Sequence, residues 1–134
     1  MDQDGVDAVL DLPNSAVGLA VNSALRGTRV ANLASTTATS DLTGPQCSPN
    51  TVTWVSDTYA LGRTAARSMM NAGGNSWYFL TVDYALGHAL QRDTAAYVEG
   101  NGGRVLGAAR HPLGTADFSA FLLQAQASRA QVIA

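Results

Sequence analysis

The stretch NSWYFLTVDYALGHALQRDTAAYVEGNGG (Asn75–Gly103) decides the fold. Its first nine residues, NSWYFLTVD, are rich in aromatic and β-branched side chains, which suit a pleated, buried strand. The remainder, beginning at Tyr84, has helical spacing and closes on the pair Gly102-Gly103, a helix stop. Reading outward, RVLGAARHP is a further strand and TADFSAFLLQAQASRA a helix with Thr115 or Asp117 as its cap. QVIA opens one more strand. Toward the N-terminus, TVTWVS alternates as a strand does, and DTYALGRTAARSMMNAGG is a helix capped by Asp57 or Thr58 and closed by Gly73-Gly74. The two glycine pairs lie 29 residues apart, the length of one β-α repeat. Strands alternating with helices predict an α/β fold whose parallel sheets are covered by helices on both faces.

The same pattern opens the chain. VDAVLDLP (Val6–Pro13) reads as a short strand stopped by proline. NSAVGLAVNSALRG follows as a helix, with Asn14 or Ser15 at the N-cap and Gly27 at the stop, and TRVANL is the next strand. The segment from Leu33 to Asn50 is longer than β-α connections in compact domains usually are. Six of the nine residues from Ser35 to Thr43 carry a hydroxyl. Two organisations accommodate such a loop: a passage between two α/β lobes, or a single open sheet with an excursion. The first divides the chain into part of one lobe (residues 1–50), a crossing (51–55) and part of a second lobe (56–134).

Composition excludes several classes. The net charge is −2 and all eight basic residues are arginine, so no basic footprint for nucleic acid or an anionic membrane is present. No apolar run is long enough to span a bilayer, and MDQDGVDAV lacks the basic and apolar regions of a leader. The single cysteine, Cys47, has no internal partner and reads as a free thiol, a loop filler or one half of an external pair.

Catalytic signatures are absent: no G-x-S-x-G elbow, phosphate loop or dinucleotide fingerprint occurs, so no catalytic residue and no cofactor is expected. The glycine pairs follow helices and precede strands, the reverse of a phosphate cradle. Two histidines, His88 and His111, and no convergent ligand cluster give no metal site. His88 reads as a surface or packing residue, and Asp83 as an ordinary helix N-cap that could also serve as a carboxylate at a strand end.

Binding is better supported. In open parallel sheets, ligands sit beyond the carboxyl ends of the strands. Three such ends are small and polar: LPNSA with Asn14 and Ser15, ASTTATS, and TVDYALG, where Tyr84 offers an aromatic wall with a polar tip. Hydroxyls serve a carboxylate or an ammonium alike, and helix N-termini favour anions.

These residues resemble a known family. DLPNSAVGLAV, STTATSDLTGPQCSPNTVTWVSDTYALG and the run from WYFLTVDYALGHAL to DFSAFLLQAQASRAQVI are similar, in order, to the extracellular solute-binding proteins of branched-chain amino acid type ABC transporters. That resemblance implies the Rossmann-like lobes of a type I periplasmic binding fold, here incomplete. It implies a periplasmic receptor that closes two lobes on a small solute, an amino acid or an aromatic carboxylate, and hands it to a membrane permease. The family's first-lobe contacts map onto Ser15, Thr37 and Thr39. The second-lobe loop maps onto DYALG, with Tyr84 present and Leu86 where amino-acid binders often carry tyrosine. The chain matches the middle of longer family members, so exposed sheet edges would favour a homodimer. Two other functions fit the same fold: a sensory ligand-binding domain of a receptor, and a Rossmann-like enzyme with its site around Asp83 and Tyr84.

Overall fold

The computed structural model describes residues 5–134 and divides into two compact units, Met1–Asp57 and Thr58–Ala134. Residues 1–4, where the sequence was searched for a leader, lie outside the described residues.

The first unit contains β1 (Ala8–Leu10), α1 (Ser15–Leu25), β2 (Ala31–Ala34), a short 3-10 helix (Ser40–Leu42) and β3 (Thr51–Thr53). Its three strands pair in parallel in the order β1-β2-β3. The residues expected to form a crossing therefore begin as the third strand of this sheet, and the change of unit falls after Asp57. Register places Val9, Asn32 and Thr51 side by side on one face, and Leu10, Leu33 and Val52 on the other. α1 is buried along Ser15, Gly18, Asn22 and Leu25, a helical stripe.

Buried amides hold the long segment after β2. Asn22, fully buried, donates to the Gln46 carbonyl at 2.7 Å and accepts from the Thr51 hydroxyl at 2.6 Å. Asn50 donates to the carbonyls of Leu25 and Val30 at 3.0 and 2.7 Å. The last part of the segment, before β3, is thus pinned to α1, as a buried polar backbone requires. Cys47 within it is exposed and unpaired.

The second unit contains α2 (Thr58–Asn71), β4 (Ser76–Val82), α3 (Ala85–Gly100), β5 (Arg104–His111), α4 (Ser119–Ala127) and β6 (Val132–Ile133). The strands are again parallel, in the order β5-β4-β6. Side chains of β4 alternate between two cores. Trp77 and Phe79 pack with Ala66, Val98 and Val132, with α2 and α3 contributing. Tyr78 packs with Ala109 and Ala125 from β5 and α4. This unit is the sheet with helices on both faces that the sequence predicts. The Trp77 indole N–H, buried with its ring, donates to the Gly74 carbonyl at 2.9 Å.

Two local expectations change. α4 begins at Ser119, several residues after Thr115, because the Thr115 N–H and hydroxyl both donate to the Pro112 carbonyl and lock a turn. Asp117 accepts from the Ser119 N–H at 2.8 Å, and hydrogen bonds from the Ser119 side chain and backbone hold its carboxyl below the ordinary value of 3.8. Asp83 is not the cap of α3: Tyr84 occupies that position and makes no side-chain cap bond.

Candidate functional site

At the carboxyl edge of the first sheet, β1 gives way to Asp11, whose φ is +58°. That left-handed conformation suits glycine best, and Asp or Asn better than other side chains. Pro13 and Asn14 then lead into α1. The Asn14 side chain accepts from the N–H groups of Ala16 (2.9 Å) and Val17 (3.2 Å), so the expected N-cap is formed. Ser15, the first helical residue, is 1% exposed, and its hydroxyl has no hydrogen-bond partner among the described residues.

The hydroxyl-rich loop after β2 folds onto this turn. Ser35 Oγ and Thr36 Oγ1 both donate to Asp11 Oδ1, at 3.0 and 2.8 Å. The next hydroxyls behave differently. Thr37 is 1% exposed, donates to the Leu12 carbonyl and lies against Gly18 of α1. Thr39 is equally buried, and its hydroxyl accepts from the Asp41 N–H at 3.3 Å as the cap of the 3-10 helix. Thr36 is exposed and Ala38 half-buried, so the segment alternates in an extended chain's period of two.

Asn14, Ser15, Thr37 and Thr39 therefore all lie at one edge of the first unit. Asn14 is on its surface, while the hydroxyl-bearing three face inward. Asp11, Ser35 and Thr36, which the sequence reading passed over as site residues, form the exposed rim. An acid immediately beyond an apolar strand, and the alternation in STTAT, were the available signals.

In the second unit, Asp83 directly follows β4, and its carboxylate takes His88 Nε2 at 2.7 Å and lies 3.9 Å from Arg110 Nη1. The Asp83 N–H donates to the His111 carbonyl at 2.8 Å, joining the ends of β4 and β5. His88 thus fastens its helix to the preceding strand, and with all three side chains about half exposed the cluster contributes little stability. The His111 ring meets the Phe118 edge at 4.8 Å between centroids. Tyr84 and Leu86 are half-buried at the start of α3.

The second unit also holds an apolar groove of about 400 Å³, with Leu61, Trp77, Phe79 and Leu90 along it. Two of its polar side chains, Thr81 and Gln91, are hydrogen-bonded to each other at 2.7 Å. No group of three or more potential metal ligands occurs among the described residues, and no helix there is long and apolar enough to cross a membrane.

Parallel β-α units with polar loops gathered at the strand carboxyl ends define an α/β binding fold. The chain belongs to the periplasmic binding protein family, whose model matches residues 1–134. It is similar to a periplasmic binding protein from Burkholderia mallei, with 43% identity over 99% of this chain and 36% of that one, TM-score 0.95. A branched-chain amino acid ABC transporter periplasmic ligand-binding protein from Burkholderia xenovorans shares 30% identity over 98% of this chain and 35% of its own length, TM-score 0.77. A solute-binding protein of an ABC transporter from Rhodopseudomonas palustris, in complex with p-hydroxybenzoic acid, shares 25% identity over 98% of this chain and 35% of its own, TM-score 0.85. The chain thus spans about a third of the length of these structures. No curated protein gives a significant match.

Proposed function

We propose that this chain is part of the periplasmic solute-binding component of an ABC importer, and that it binds a small carboxylate solute, an amino acid or an aromatic acid, for delivery to a membrane permease. The observation that carries the reading is the closure of the loops after β1 and β2 on each other through Asp11, Ser35 and Thr36, at a strand carboxyl edge. The relatives from a branched-chain amino acid transporter and in complex with p-hydroxybenzoic acid support the solute class.

In this reading Asn14, Ser35 and Thr36 meet the solute. Thr37 and Thr39 hold the loop in place, and Ser15 joins the solute contacts only where its unpartnered hydroxyl becomes accessible. Tyr84 and Leu86 are included as second-unit contacts. Binding, not turnover, is the activity. The pairing of two copies gains no support from the relatives.

A thermal-shift screen of the full-length protein against leucine, other amino acids, 4-hydroxybenzoate and further aromatic acids tests the reading. A solute present at about 100 times its Kd adds about 2.7 kcal/mol to stability, a readily measured rise in Tm. No rise with any carboxylate would overturn the solute class.

A further inference from the structure

Resting on the solute class proposed above, we infer that Asp11 is a specificity-determining residue, its carboxylate receiving a hydrogen-bond donor, a phenolic hydroxyl or an ammonium, carried by the solute. Three observations converge on it. First, Asp11 holds a φ of +58° where the turn from β1 would accept glycine without strain. Non-glycine residues kept in that region concentrate where a side chain is needed at a fixed place. Second, the side chain is exposed at the carboxyl edge of the sheet, where ligands of parallel α/β units bind. Third, both neighbouring hydroxyls donate to the same oxygen, Oδ1, at 3.0 and 2.8 Å, and no hydrogen bond among the described residues reaches Oδ2.

The arrangement orients an acid and leaves half of its accepting capacity unused. A structural tie between the two loops would be served by Oδ1 alone. An anionic acceptor pre-oriented by two hydroxyls gives a short, charge-assisted bond to O–H or N⁺–H, and gives nothing to a solute lacking a donor. The site would thus separate carboxylic acids that share a skeleton and differ only in that donor.

The test measures affinities of the full-length protein by calorimetry for two matched pairs: 4-hydroxybenzoate with benzoate, and leucine with 4-methylpentanoate. The first pair probes the hydroxyl, the second the ammonium. Asp11→Asn keeps an amide oxygen for Ser35 and Thr36 and tolerates a positive φ, but removes the anionic acceptor. Asp11→Gly, which fits the backbone and removes the whole side chain, is the second variant.

The wild-type protein should favour the donor-bearing member of at least one pair by about tenfold or more, the scale of one charge-assisted hydrogen bond. Both variants should lose that preference by weakening only the donor-bearing solute. Equal weakening of both members would show that Asp11 merely shapes the loop, and a preference that survives both variants would place the discrimination elsewhere. Either result overturns the inference while leaving the solute class intact. Failure of the wild-type protein to bind any of the four, or any acid of the thermal-shift screen, would overturn the class and the inference together.

Discussion

Gly18 sits in α1 where a side chain would collide with the loop it supports. A Cβ there would lie 2.5 Å from Thr37 Cγ2 and 2.7 Å from Thr37 Oγ1. Gly87, near the start of α3, meets the end of β4 in the same way, its Cβ position being 2.8 Å from Val82 Cγ1 and closer still to the Val82 carbonyl oxygen. In both units a glycine lets the helix that follows a strand approach the carboxyl edge closely. Gly18→Ala in the full-length protein should therefore cost about 1–3 kcal/mol, the range for overpacking, read as a lower denaturation midpoint with an unchanged slope. A midpoint equal to that of the wild-type protein would show that Thr37 can move aside freely. At this scale the sequence was partly legible. Asn14 was readable as a cap because Asn before an apolar-periodic run has one common use. Thr37 and Thr39 were not separable from Thr36, since all three carry the same hydroxyl and only the strand-like alternation distinguishes inside from outside. Asp11 looked like a strand residue because a positive φ leaves no mark in the sequence when the residue is not glycine.

Each element depends on connections that periodicity does not reveal. The strands and helices of the second unit follow the predicted order, since aromatic and β-branched runs alternate there with long helices closed by glycine pairs. The first unit was harder to read. The segment between β2 and β3 looked like a free loop because its fixings come from elsewhere: Asn22 in α1 takes the Gln46 carbonyl and the Thr51 hydroxyl, and Asn50 takes two carbonyls, at the far end of α1 and just before β2. An Asn between Val21 and Ser23 in a mostly apolar helix carries no local sign of such a role. Asn22→Ala should leave the Thr51 hydroxyl proton without its acceptor, at about 1–3 kcal/mol, and the Gln46 carbonyl held by the Arg26 guanidinium alone. Amide hydrogen exchange across residues 43–51 should accelerate along with the loss of stability. Protection equal to that of the wild-type protein across that segment would mean that the loop is held by other contacts.

Across the whole molecule, two sheets built to the same parallel rule present different surfaces. The first shows Leu10 and Val52 at 61% and 54% exposed on the face opposite α1, and the second carries the apolar groove beside Trp77 and Phe79. The groove is the natural rival to the polar rim as a solute site. Its Thr81 and Gln91 already satisfy each other, whereas the rim offers an oriented acid and an exposed asparagine at a strand carboxyl edge. The fold class was legible because it rests on the order of periodic segments. The site was legible only as a region, since the loops that form it were recognisable and the direction of each side chain was not. The most direct test of the central claim is a crystal structure of the full-length protein with a bound carboxylate solute. Solute polar atoms are expected within about 3.2 Å of Asp11, Ser35 or Thr36. A solute seated in the apolar groove of the second unit, with that rim untouched, would contradict it.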